Sequence, residues 1–301
     1  MKSIPVFYSP RLAANAQSYS PSAGKPALAV ESWRELGTPI EILEPIPATE
    51  EEFCLAHGRN YVQRVLACQA DNGFGNRLSE VAVSLPYTTG AFVSAAREAV
   101  RNGRVAVAPV SGFHHACHDQ GGCFCTFNGL VVAAQVLKRD GLANNVGILD
   151  FDQHYGNGTV DIIRVRDLGG WLKHYTAGSE YRRPDQAKAF LRRIPELVER
   201  FVNCDVLLYQ AGADPHVADP LGGWLTTAQL AERDRLVFET AKAWGIPVAW
   251  NLAGGYQEFF RGVLNIHDNT LKACAKAYIG TDSSPASLRV PRTRNNDPIR
   301  N

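Results

Sequence analysis

Apolar residues in the second half of the chain gather into short runs that end abruptly in polar or glycine-rich clusters. Arg104–Val110 runs into Gly112-Phe113-His114-His115, and Val146–Phe151 into Gln153-His154-Tyr155-Gly156. Asp205–Leu208 leads to Gly212-Ala213-Asp214, and Pro247–Leu252 to Gly254-Gly255-Tyr256. Short continuous apolar runs bounded in this way predict buried strands. Between them the spacing predicts helices near 128–139, 185–202 and 227–244, with another near 262–278. Upstream, residues 4–8 (Ile-Pro-Val-Phe-Tyr) predict one more strand, and the polar stretch from Ser9 to Lys25 a loop. Helical patterns follow near 27–36, 50–68 and 88–102, the last stopped by Asn102-Gly103.

Alternating strands and helices imply right-handed crossovers and a parallel sheet. The expected fold class is α/β: a single domain, a parallel central sheet, helices on both faces. In such sheets the carboxyl ends of the strands open onto one crevice where ligands bind. The four clusters are therefore expected to converge. Residues 1–280 are read as the domain, and 281–301 as a polar tail that is mobile or used in subunit contacts.

Composition narrows the class without choosing a chemistry. The chain has 301 residues, 45% apolar and 20% charged, as in a soluble globular protein able to bury a large core. With 31 basic and 30 acidic residues the formal charge is +1, which argues against a nucleic-acid binder. No stretch reaches the ~18 apolar residues of a membrane span. Met1-Lys2-Ser3-Ile4-Pro5 lacks the apolar core of a secretory signal. Seven dispersed cysteines point to reduced thiols and a cytoplasmic location.

The clusters supply the chemistry. On extended backbone Asp150, Asp152 and His154 share a face. Two carboxylates and an imidazole gathered at a strand end repel or stay badly desolvated unless a cation joins them. Asp214, leaving a different strand, offers a third ligand. Two Asp oxygens and one His nitrogen leave coordination positions open, as in a catalytic zinc site. His114-His115 supplies groups that titrate near neutrality, suited to acid and base work. Gly254-Gly255 lets the chain turn so that the Tyr256 hydroxyl can face a developing oxyanion. Cys117, Cys123 and Cys125 lack the C-x₂₋₄-C spacing of a structural zinc site and read as small fillers.

These clusters, in this order, resemble the histone deacetylase superfamily, which includes acetylpolyamine amidohydrolases and acetoin-utilisation proteins. The resemblance runs through Ser111-Gly112-Phe113-His114-His115-Ala116 and Cys123-Phe124-Cys125-Thr126-Phe127-Asn128. It continues through Asp150-Phe151-Asp152-Gln153-His154-Tyr155-Gly156-Asn157-Gly158-Thr159, Gln210-Ala211-Gly212-Ala213-Asp214 and Asp219-Pro220-Leu221-Gly222, and closes at Gly254-Gly255-Tyr256. It implies zinc held by Asp152, His154 and Asp214, with His114 and His115 handling the proton of water and the leaving amine. Asp150 would orient His114, and Asn157 would stand behind His115. Tyr256 would bind the carbonyl oxygen, with Phe124, Gly254 and Gly255 lining the substrate site. A potassium ion near Asp150, Asp152 and His154 is a further implied ion. The implied reaction is hydrolysis of an amide on an acyl-lysine or a small acylated amine such as an acetylpolyamine. Two alternatives stand beside it: a catalytically silent binding protein of this fold, and a manganese ureohydrolase, since arginases share the fold.

Two departures from the family pattern bear on substrate. The His-Pro-Glu-Arg signature near the N-terminus is reduced to Lys25-Pro26. The segment between Asn157 and Asp214 is short and has no Phe-Pro-Gly-Thr-Gly loop, the usual source of a second aromatic wall. Trp171 or Tyr175 is the expected replacement.

Overall fold

The computed structural model describes residues 1–279. The tail from 281 onward, expected to be mobile or to make subunit contacts, lies outside the described residues.

Among the described residues, seven strands form one parallel sheet: β1 (Ile4–Phe7), β2 (Ile40–Leu43), β3 (Val105–Val107), β4 (Val146–Asp150), β5 (Leu172–Thr176), β6 (Val206–Gln210) and β7 (Val248–Asn251). Their order is β2-β1-β3-β7-β6-β4-β5. The helices are α1 (Lys25–Glu35), α2 (Glu50–Cys54), α3 (Arg59–Leu66), α4 (Ser79–Asn102), α5 (Gly129–Arg139), α6 (Asn157–Val165), α7 (Ala187–Glu199), α8 (Thr227–Ala243) and α9 (Arg261–Tyr278).

Both faces of the sheet are buried, as a parallel sheet requires. Alternate strand residues divide between two cores. Leu207, Tyr209 and Trp250 pack with α1, α7, α8 and α9, while Val206, Leu208 and Ala249 pack with α4 and α5. This explains why the four central strands read as continuous apolar runs. β3, β7, β6 and β4 are consecutive in the sheet, so the four polar clusters leave its carboxyl edge side by side.

The expected α/β architecture is therefore the one observed, with local differences. The pattern over 50–68 is two helices broken at Gly58, where a side chain would strike Asp119. The helix expected near 88 starts at Ser79 and runs through Pro86, which costs it one ladder bond without stopping it. β2, α6 and β5 went unanticipated. The first and last are four- and five-residue edge strands of mixed polarity, and α6 opens on Asn157-Gly158-Thr159, a turn-like start.

One expectation is overturned. Tyr175 is buried beneath β4, its ring 6.2 Å from that of Phe151. Trp171 precedes β5 at the amino edge of the sheet, with the Lys138 ammonium 5.5 Å from its ring. Neither reaches the strand exits: Trp171 lies at the opposite end of β5, and Tyr175, one residue from its carboxyl end, turns its ring into the core beside Phe151.

Candidate functional site

Asp152 and His154 leave β4, and Asp214 leaves β6. The structure brings one ligand atom from each within 4.8 Å of the others. His154 Nδ1 lies 3.2 Å from Asp152 Oδ1 and 3.1 Å from Asp214 Oδ2. Backbone amides fix the carboxylates: Gly254 N–H donates to Asp152 Oδ2 (2.9 Å) and Gln153 N–H to Asp214 Oδ1 (3.2 Å). Both aspartates are buried, while His154 is 33% exposed, so the group opens to solvent on one side.

The electrostatics show what this donor set requires. Hydrogen bonds to Asp152 and Asp214 raise the His154 imidazole to about 11. Burial, then the neighbouring Asp152 charge, pushes the Asp214 carboxyl up to about 7. The cluster is stable only if it holds positive charge. Protons or a divalent cation would supply it, and an O,N,O set with an open side fits zinc.

The tandem histidines stand beside this group. His114 Nδ1 is 2.6 Å from Asp150 Oδ2, and His115 Nδ1 is 2.6 Å from Asn157 Oδ1. Their rings are 4.1 Å apart, and that of His115 is 5.8 Å from His154. The Thr159 amide in the first turn of α6 donates to the His114 carbonyl (3.0 Å). Burial opposes a charge on His114, but Asp150 and Asp152 outweigh it and raise the imidazole to about 9. His115 goes the other way, to about 4, through burial and the charge on His114.

Tyr256 follows Gly254-Gly255 at the exit of β7. Its amide donates to Asp219 Oδ2 (2.7 Å), its hydroxyl meets Ser22, and burial pushes its phenol well above the usual range, so it stays a donor. Phe124 sits 5.6 Å from the Tyr256 ring. Cys123 and Phe124 both have left-handed backbone (φ 48° and 66°), a costly conformation for such residues that turns the Phe124 ring towards Tyr256. The other aromatic neighbours of Phe124 are Tyr19, 5.3 Å away and 78% exposed, and Phe74, 5.9 Å away. The rim is thus extended from the N-terminal loop and the segment before α4, not from residues 168–182. Gly254 lies against the carboxylates of Asp152 and Asp214 more than along any outer wall.

Some supporting residues carried no individual expectation. Gln210 donates to Asp150 Oδ1 (3.0 Å) and accepts from the Phe113 amide (3.3 Å), tying β6 to two other strand exits. Lys25, fully buried, donates to the Ala253 carbonyl. A polar residue ending a buried apolar strand was the available signal for Gln210. Lys25 had none, since a lysine at the start of a helix is usually solvated.

Fold and site together define a parallel-sheet α/β protein with an Asp-His-Asp group, of a kind that could hold a metal ion, at the carboxyl ends of adjacent strands. A family model described as the histone deacetylase domain matches residues 23–168 and 173–271. The chain belongs to the histone deacetylase family. It is 29% identical over 254 residues to an uncharacterised protein of Picosynechococcus sp., covering 76% of this chain and 81% of that one. It is 27% identical over 252 residues to histone deacetylase 2 of Arabidopsis thaliana, covering 72% of this chain and 64% of that one. A shorter match, 51% over 53 residues, 18% of this chain and 15% of the other, is to acetylpolyamine amidohydrolase 2 of Pseudomonas aeruginosa. The crystal structure of the HDA15 HD domain shares the fold with a TM-score of 0.75 at 18% identity, covering 93% of this chain and 91% of that one.

Proposed function

We propose that the chain is a zinc-dependent deacylase that hydrolyses the amide of an acetylated or short-acylated amine, either an acyl-lysine or a small acylated amine such as an acetylpolyamine. The observation that carries this reading is the gathering of Asp152, His154 and Asp214 with the His114–Asp150 and His115–Asn157 pairs and Tyr256 at adjacent strand exits. Zinc held by Asp152, His154 and Asp214 would polarise the amide carbonyl and lower the pKa of a bound water.

The remaining roles fall to side chains. His115, neutral and oriented by Asn157, takes the proton as water adds to the carbonyl carbon. It returns the proton to nitrogen as the C–N bond breaks, so that the amine departs uncharged. His114 keeps its proton through Asp150 and offsets the growing negative charge. This division follows from the two environments, which push the paired imidazoles apart. Tyr256 donates to the carbonyl oxygen as charge builds there. The acetylpolyamine amidohydrolase similarity supports an acylated amine as substrate. A potassium ion near Asp150, Asp152 and His154 is supported by the family resemblance alone.

The test is a screen of the zinc-loaded protein against acetyl-lysine peptides, acetylpolyamines and longer acyl-lysines, with metal content measured in parallel. The expected result is one zinc per chain and hydrolysis within at least one class. Full loading with no hydrolysis would favour the silent binding protein. Two manganese ions per chain would favour the ureohydrolase.

A further inference from the structure

A buried ion pair beneath the site is left over by this mechanism. Arg233, on α8, is 0% exposed, and its Nε donates to Asp234 Oδ1 at 2.8 Å. Asp234 is held in turn by the Tyr209 hydroxyl and by Thr270 Oγ1 (2.6 Å). Nη1 of Arg233 donates to two carbonyls, Phe151 O at 3.1 Å and Gly212 O at 2.7 Å. Burying such a pair is costly, and apolar residues of the same volume often stabilise a fold as well or better. Stability alone therefore gives little reason for it.

The two carbonyls supply one. Phe151 lies between Asp150 and Asp152, and Gly212 is two residues before Asp214. The strand ladder stops at this level: Phe151 N–H donates to Gln210 O at 3.1 Å, and beyond it the two ligand-bearing loops are joined through the Asp214 side chain, which accepts from Gln153 N–H at 3.2 Å. A planar, pre-organised guanidinium that takes one carbonyl from each loop sets their separation where the ladder no longer does. The partner Asp234 cancels the charge, so the contribution is geometric.

We propose that Arg233 is a positioning residue that fixes the spacing of the β4 and β6 exits and thereby the affinity of Asp152, His154 and Asp214 for their metal. The inference rests on the metal reading of that group. The test is the double variant Arg233→Met/Asp234→Asn, which removes both charges together, with Arg233→Lys as the conservative companion. The double variant is expected to fold and to melt cooperatively, since no unpaired charge is left in the core. Its zinc affinity, measured by competition with a chromophoric chelator, should be weaker by about 10–100-fold. At saturating zinc kcat should fall with KM nearly unchanged, and Arg233→Lys should lie between the two. Wild-type zinc affinity and kcat in a folded double variant would overturn the inference and leave the metal site standing. If the double variant does not fold, unchanged zinc affinity in Arg233→Lys overturns it. A wild-type protein that takes up no zinc overturns the metal reading itself.

Discussion

At the scale of single residues, function hangs on how neighbours set protonation. His114 and His115 are adjacent in sequence, yet one faces a carboxylate and the other an amide oxygen, at 2.6 Å in each case. In the proposed mechanism that difference separates an imidazole that holds its proton from one that exchanges it. Tyr256 is the third such group, its proton kept by burial. Tyr256→Phe removes the hydroxyl while leaving the ring against Phe124, so fold and metal content should be unchanged. The loss should appear in kcat, by about 10²–10³, as for removal of one oxyanion donor. Steady-state kinetics beside zinc analysis checks this, and wild-type kcat in that variant would remove Tyr256 from the mechanism.

At the scale of elements, the site is a property of strand exits. Gly254 illustrates how tightly they approach: a Cβ there would press on the Asp214 carboxylate and lie 2.8 Å from Asp152 Oδ2. Gly254→Ala should therefore displace two ligands without unfolding β7, seen as lost zinc with a retained far-UV CD spectrum. Full zinc loading in Gly254→Ala would mean that the carboxylates have other room. The central strands were legible in the sequence because burial on both faces makes them apolar throughout, and the clusters were legible because polar groups at their ends break that run abruptly. The edge strands β2 and β5 were not, since one side of each lacks a partner strand and mixed polarity is tolerated there. Arg233 was invisible for a related reason. Within the charged run Glu232-Arg233-Asp234-Arg235, nothing local distinguishes the arginine that turns inward to Phe151 O and Gly212 O from Arg235, which pairs with Glu232 and Glu239 at the surface.

At the scale of the whole molecule, buried imidazoles link stability to pH. His57 is 1% exposed, its Nδ1 donating to Cys117 O (2.9 Å) and its Nε2 accepting from the Asn128 amide (2.8 Å). It joins α2–α3 to the loop that follows the tandem histidines. Burial lowers its pKa to about 4, and burial lowers His174 to about 4 as well. Each folded-state pKa lies below the unfolded value of ~6.5. The unfolded chain therefore binds more protons between these limits, and the contribution is present above pH ~6.5 and lost as pH falls towards 4. His114 and His154, raised to about 9 and about 11, have the opposite sign, and their contribution changes only above pH ~6.5. Asp214, raised to about 7, opposes the trend in the metal-free protein, so the His57 contribution is read from a comparison of two proteins and not from one curve. His57→Gln keeps an acceptor for the Asn128 amide and removes the titration. Urea unfolding at pH 7 and 4.5 should show the wild type losing roughly 2–3 kcal/mol more than the variant, from a two-unit span at ~1.4 kcal/mol per unit. Equal losses in the two proteins would mean that His57 takes up its proton without unfolding the contact between α2–α3 and the loop that follows the tandem histidines.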